Sequence, residues 1–184
     1  MKIWSKILLL ALAANFAFAF SAEKLAQDAR AQVGQTLFYD PSYSRLAYPM
    51  GDVDMIKGVC TDVVVRALRG QSVDLQRLIH EDMSVNFSVY PKNWGAKKTD
   101  KNIDHRRVPN IATYLKRKGY EAKGEFKAGD IVTWRLDNGR PHIGIVSDKF
   151  AGDKTPLVIH NIGLGAQEED VLNEHEITGH FRIK

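Results

Sequence analysis

The chain is poor in cysteine, in long apolar runs, in net charge and in repeats, and each shortage excludes a class of protein. One cysteine, Cys60, stands in 184 residues, so an intramolecular disulfide framework is excluded. Beyond the first nineteen residues no apolar segment reaches the ~20 residues of a membrane span. Lys and Arg total 26 against 22 Asp and Glu, a formal charge of +4. That is too small an excess to suggest nucleic-acid binding, and the cluster His105-Arg106-Arg107 is too short for a tracking groove and has no interleaved aromatics. It reads as a solvated face. No low-complexity tract or interdomain linker is present.

The N-terminus begins with Lys2 and Lys6, continues through the run from Ile7 to Phe18 and ends in Ala-Phe-Ala at 17–19. This is the pattern of a cleaved secretory signal. Cleavage after Ala19 fits the small-residue rule best, with Ala22 as the second choice. Loss of Lys2 and Lys6 lowers the basic count from 26 to 24 against 22 acidic residues, a formal charge of +2. A periplasmic or secreted protein without a transmembrane anchor is expected, with residues 20–184 forming a single domain. Cys60 lies too far from the cleavage region to carry a lipid, so its free thiol in an exported chain calls for a reason.

From Glu23 to Val33 the spacing of Leu25, Ala26, Ala29 and Val33 predicts a helix stopped by Gly34. The segment 35–57 is rich in Tyr, Pro, Gly and Asp and predicts turns and extended chain. Cys60 then opens an amphipathic helix with Val63, Val64, Ala67 and Leu68 on one face and Gly70 at its end. A helix capped by Ser72 and finishing near Asp82 follows, then a loop, and then a helix set by Pro109 that stops at Gly119. From Phe126 the period becomes extended. Ile131–Leu136, His142–Ser147, Leu157–Asn161 and Ile177–Ile183 predict strands, the first two joined by the Asn138-Gly139 hairpin turn. An α+β fold results, with a central antiparallel sheet packed against the helix that carries the cysteine.

A thiol at a helix N-terminus faces unpaired amides and the positive end of the dipole, so the position predicts a Cys60 pKa below about 8.5 and rapid alkylation. His142 starts one strand and His160 ends another. A thiol nucleophile, an imidazole that shuttles its proton and a third group that orients the imidazole are the parts of thiol catalysis. Cys60, His142 and His160 can fill those roles.

The succession Gly58-Val59-Cys60-Thr61-Asp62, Gly129-Asp130-Ile131-Val132-Thr133-Trp134, Pro141-His142-Ile143-Gly144-Ile145-Val146 and Val158-Ile159-His160-Asn161 resembles the NlpC-type cell-wall cysteine peptidases, a circularly permuted papain-like superfamily. The chain is similar, more closely, to exported bacterial proteins with a domain of unknown function within that superfamily, and Asn102–Asn110 looks typical of that group. The resemblance implies a papain-like fold, cleavage of an amide in peptidoglycan stem peptides, and the roles of nucleophile, base and orienter for Cys60, His142 and His160. Residues 70–124 replace what is a short connection in typical members, and Val59 and Thr61 depart from their Asp-Cys-Ser-Gly pattern.

Candidate substrate contacts are Tyr48, Asp62, Trp94, His105 and Asn161. For His105 the neighbouring carboxylate Asp104 is explained as well by capping and surface pairing. Peptidoglycan or its peptide fragments are the expected partner of a monomer, with no cofactor and no metal. Three alternatives remain open. They are a non-catalytic cell-wall or peptide-binding protein on the same fold, a zinc site built from one Cys and two His, and acyl transfer to an acceptor other than water.

Overall fold

The computed structural model describes residues 20–184, so the signal-sequence reading of residues 1–19 lies outside the described residues. Helix α1 (Ala22–Arg30) is capped by the Ser21 hydroxyl, which accepts from the Lys24 amide at 3.2 Å. It ends earlier than the Val33 limit that apolar spacing suggests, and turns carry the chain to Gly34 and Gln35. Two short strands, β1 (Phe38–Tyr39) and β2 (Lys57–Gly58), pair in parallel and deliver the backbone to α2 (Cys60–Arg69).

Helix α3 runs from Leu75 to Asn86 and is capped by Asp74, not by Ser72. Ser72 sits instead at φ 63° in the turn before it. Asp74 wins because its carboxylate reaches the Gln76 amide at 3.1 Å, the bond a helix start needs. A single 3₁₀ turn at Asp104–Arg106 leads into α4 (Val108–Arg117), with Pro109 in its first turn, where a missing N–H costs nothing.

The remaining strands are β3 (Ile131–Arg135), β4 (Pro141–Phe150), β5 (Pro156–Asn161), β6 (Ala166–Glu169) and β7 (Glu176–Phe181). They form one antiparallel sheet in the order β6-β5-β4-β3-β7. The architecture is α+β.

Side chains alternate across the sheet. Ile131, Ile143, Ile145 and Ile159 face the helices, where they join Leu25, Val63, Val64, Ala67, Leu68, Ile79, Ile111 and Leu115 in the main core. Val132, Trp134, Val146 and Val158 point the other way and close on Leu172 and Phe126. The segment 70–124 is therefore a structural layer of the core, since Ile79, Met83, Tyr90, Ile111 and Leu115 all belong to it. Among the described residues no helix is long and apolar enough to cross a membrane.

Candidate active site

Cys60 is the first residue of α2, preceded by Val59 in an extended conformation. Valine has no side-chain acceptor, so the first-turn amides stay without a side-chain cap, and those of Cys60 and Thr61 act on the thiol itself. The amide of Ile143, on β4, acts on it as well. Behind this turn Asp62 accepts the Val59 N–H at 2.7 Å and is held from the other side by Arg106, whose Nε and Nη2 donate to its two oxygens at 3.0 and 2.9 Å. The same guanidinium donates to the carbonyls of Ser42 and Asp40. Arg106 thus ties the 3₁₀ turn of the 70–124 segment, the loop after β1 and the start of α2 into one unit.

The thiol is only 4% exposed. Burial pushes its pKa up to about 12, with the Asp62 charge adding to the rise while the Ile143, Thr61 and Cys60 amides pull against it. The expectation of a lowered pKa is overturned here. A helix N-terminus favours the thiolate by an amount that desolvation of a buried sulfur exceeds.

His142 lies opposite Trp134 across the β3–β4 ladder, and the two rings stack at 5.7 Å. Its Nε2 is 2.8 Å from Nδ1 of His160, and His160 Nε2 is 3.0 Å from Oε2 of Glu169. The β5–β6 register explains the last contact. His160 pairs with Gln167, which makes Glu169 its diagonal neighbour on the same face.

Gly144 allows the two imidazoles to approach. A Cβ there would lie 2.7 Å from Val158 Cγ1 and 3.2 Å from the His160 Cβ. Burial pushes the His142 pKa down to about 3, helped by the neighbouring His160 and His175 charges. It lowers that of His160 too, against the opposing pull of Glu169. At neutral pH the resting pair is a neutral thiol and a neutral imidazole.

Cys60 and His142 open into one cleft of about 980 Å³, whose walls include Tyr39, Tyr43, Trp94, Arg107 and Arg140. The Arg107 guanidinium sits 5.1 Å from the Trp94 ring centre. A smaller cavity of about 310 Å³ shares His142, Ile162 and His175 with the cleft and carries Glu169, Asp170 and Glu174. The cleft thus carries three arginines, Arg106, Arg107 and Arg140, with a single carboxylate, Asp137, whereas three carboxylates line the adjoining cavity beside Trp134. Among the described residues no group of three or more His, Cys, Asp or Glu is arranged to hold a metal ion.

Of the candidate substrate contacts, Trp94 alone lines the cleft. Tyr48 packs edge-on against His80, with ring centres 5.4 Å apart. Asp62 is locked between the Val59 amide and Arg106. Asn161 is buried and donates to the Gly58 carbonyl at 3.2 Å, so it fastens the strand that leads to Cys60.

His105 is buried with Asp104 and Arg106, which corrects the reading of this segment as a solvated, surface-paired face. Its Nδ1 has no hydrogen-bond partner and burial lowers its pKa to about 4. Tyr39, Tyr43, Arg106, Arg140 and Glu169 escaped sequence reasoning as site residues. The aromatic 35–57 loop pointed to the two tyrosines in a general way, whereas the polar Ala-Gln-Glu-Glu strand that carries Glu169 gave no strand signal.

Residues 26–183 match the family described as Domain of unknown function (DUF1287). The chain is 59% identical over 163 residues to a protein of Escherichia coli (strain K12) described as "Uncharacterized protein YijF", covering 86% of this chain and 80% of that one. The chain belongs to the DUF1287 family.

Proposed function

We propose that this protein is an exported cysteine hydrolase of papain-like, NlpC-type fold that cleaves an amide bond in peptidoglycan stem peptides. The observation that carries the reading is the 2.8 Å hydrogen-bond contact between His142 Nε2 and His160 Nδ1. It leaves Nδ1 of His142 as the ring nitrogen free to serve Cys60 in their shared cleft. A cysteine opening a helix that packs on an antiparallel sheet, with the histidine on that sheet, supports the fold assignment. The basic start, apolar run and Ala-Phe-Ala ending of the first nineteen residues support export.

In the reaction, Sγ attacks the scissile carbonyl carbon as its proton passes to His142 Nδ1, and the carbonyl π electrons move onto oxygen. Because thiol and imidazole start neutral, proton transfer accompanies attack rather than preceding it. First-turn amides stabilise the oxyanion, a contribution of about 3–4 kcal/mol per donor in hydrolases that use one. Collapse of the intermediate expels the amine, which takes the proton from His142. Water, deprotonated by His142, then releases the acyl group from sulfur and restores the thiol.

The cleft's aromatic rings and the Arg107 and Arg140 guanidinium groups suit an extended peptide bearing a carboxylate. The carboxylates of the adjoining cavity suit an amine. Cell-wall stem peptides carry both groups.

The test is mass spectrometry of fragments released from purified sacculi by the mature protein beside Cys60→Ala. Fragments formed only by the wild type are expected, and their masses identify the bond. Equal release by the two proteins would overturn the reading. The buried, high-pKa thiol favours one second reading, a cell-wall peptide-binding protein without turnover, for which Cys60→Ala would retain both binding and phenotype.

A further inference from the structure

We infer that Glu169, acting through His160, sets the tautomer of His142 and so makes His142 Nδ1 a base; this rests on the hydrolase reading above. Glu169 ends β6, at the edge of the sheet, and its carboxylate meets His160 rather than His142. It is a positioning residue.

The proton count follows from which atoms can donate. A carboxylate accepts and does not donate, so the 3.0 Å contact with Glu169 requires the hydrogen of His160 to sit on Nε2. In the neutral ring Nδ1 then carries a lone pair. The 2.8 Å contact between the imidazoles can therefore hold only a hydrogen supplied by His142 Nε2. Neutral His142 is left with a bare Nδ1, able to accept the thiol proton.

The reverse order fails at both ends. A hydrogen on His160 Nδ1 would set the lone pair of its Nε2 against the Glu169 oxygen, and it would leave the His142 hydrogen on Nδ1. That nitrogen could then accept nothing from sulfur. The other ionisable side chains that act on His160 do not compete for its ring nitrogens. Glu174 and His175 influence His160 only through space, and His175 Nδ1 is engaged with Asp137 at 3.1 Å. When the Cys60 proton arrives on His142 Nδ1, the imidazolium hydrogen on Nε2 still points to His160. The positive charge is then stabilised by the ordered dipole of His160 and by the carboxylate beyond it.

Two substitutions of Glu169 should rank in an order that a packing role cannot produce. The ammonium of Glu169→Lys donates and cannot accept, which reverses the chain and places a hydrogen on His142 Nδ1, whereas the carboxamide of Glu169→Gln can still accept the His160 Nε2 hydrogen through Oε1. Turnover of sacculus-derived peptides by Glu169→Lys is expected to fall at least about ten-fold below that of Glu169→Gln; loss of the correct tautomer costs about 10⁴-fold in serine hydrolases. Equal or better turnover by the lysine variant would overturn the inference.

A readout independent of activity is the ¹⁵N spectrum of the histidine rings in protein labelled at histidine. Wild type and Cys60→Ala should show His142 and His160 both as the Nε2–H tautomer, and Glu169→Lys, whose ammonium can only donate, should show both as Nδ1–H. An Nδ1–H signal for either ring in the wild type would refute the proton order. Inactive wild type whose rings show the expected tautomers would strike the hydrolase reading while supporting the assignment of hydrogens by Glu169.

Discussion

Removal of the Arg106 guanidinium would expose how much of the fold depends on one buried ion pair. In Arg106→Met the Asp62 carboxylate loses two charge-assisted hydrogen bonds, at 3.0 and 2.9 Å, and the Ser42 and Asp40 carbonyls lose their donors. Both partners are almost wholly buried, with side chains 2% and 4% exposed, so water cannot replace the missing cation. Breaking one side of such a pair costs about 3–5 kcal/mol. For a domain of this size each kcal/mol moves the melting temperature by about 2–4 °C, so a loss of roughly 6–20 °C is expected.

The assay is urea and thermal unfolding of the mature protein followed by tryptophan fluorescence, repeated for Asp62→Asn and for the double variant. Asp62→Asn removes the charge that Arg106 neutralises, so the double variant should recover part of the loss, with a coupling energy above about 1.5 kcal/mol. Additivity within about 0.5 kcal/mol, or a cost below about 1 kcal/mol for Arg106→Met, would refute the view that this pair fastens the 70–124 segment to the cysteine helix.

Other outcomes follow from the same geometry. Because burial holds the Cys60 thiol up at about 12, iodoacetamide should modify the folded protein at pH 8 on the order of 10³-fold more slowly than the urea-unfolded chain; equal rates would show that the sulfur is not desolvated. The raised thiol pKa also stabilises the fold below about pH 8.5 and ceases to do so as pH climbs toward 12, so Cys60→Ala should flatten the alkaline decline in unfolding free energy.

His142 and His105, lowered to about 3 and about 4, work in the opposite direction. Their contribution is full above about pH 6.5 and is lost as pH falls toward about 4 for His105 and about 3 for His142, at up to ~1.4 kcal/mol per pH unit for each. His105→Phe should shrink that acid slope, and an unchanged slope would remove His105 from the account. Gly144→Ala would drive a methyl group to 2.7 Å from Val158 Cγ1 and 3.0 Å from the Ile159 carbonyl oxygen. A destabilisation of about 1–3 kcal/mol is expected, together with loss of the His142–His160 contact in the histidine ¹⁵N spectrum; a wild-type spectrum would show that the strands can separate without cost.

The elements readable in the sequence are those whose own residues carry the signal. The Cys60 helix has its apolar stripe, β3 and β4 have their β-branched runs, and the Asn138-Gly139 pair joins them through a turn with Gly139 at φ 77°. What stayed hidden depends on partners remote in the chain. Strand β6 is polar and forms because β5 offers it a register. His105 and Arg106 look like surface cations until the loop after β1 and the start of α2 close over them. The raised thiol pKa is hidden for the same reason, since a helix terminus is local whereas desolvation is imposed by β4 and the surrounding core. Cys60 and His142, singled out in the sequence, line one cleft, and His142 contacts His160, but the contact of His160 with Glu169 was not legible, because Glu169 enters only through a diagonal contact across two strands.

The sheet order also bears on how the chain acquires its shape. Strand β3 lies between β4, which follows it at once, and β7, which is separated from it by three other strands. Arg30 of the first helix reaches Glu168 of the edge strand, 138 positions away. Contacts of such separation close large loops, and chains that depend on them fold slowly. The sheet is not complete until its edge strand β7 is available, and the thiol at position 60 meets the histidine strands only when β4 and β5 arrive. A chain that emerges N-terminus first would therefore hold a finished helical N-terminal part beside an unfinished sheet until its last residues appear.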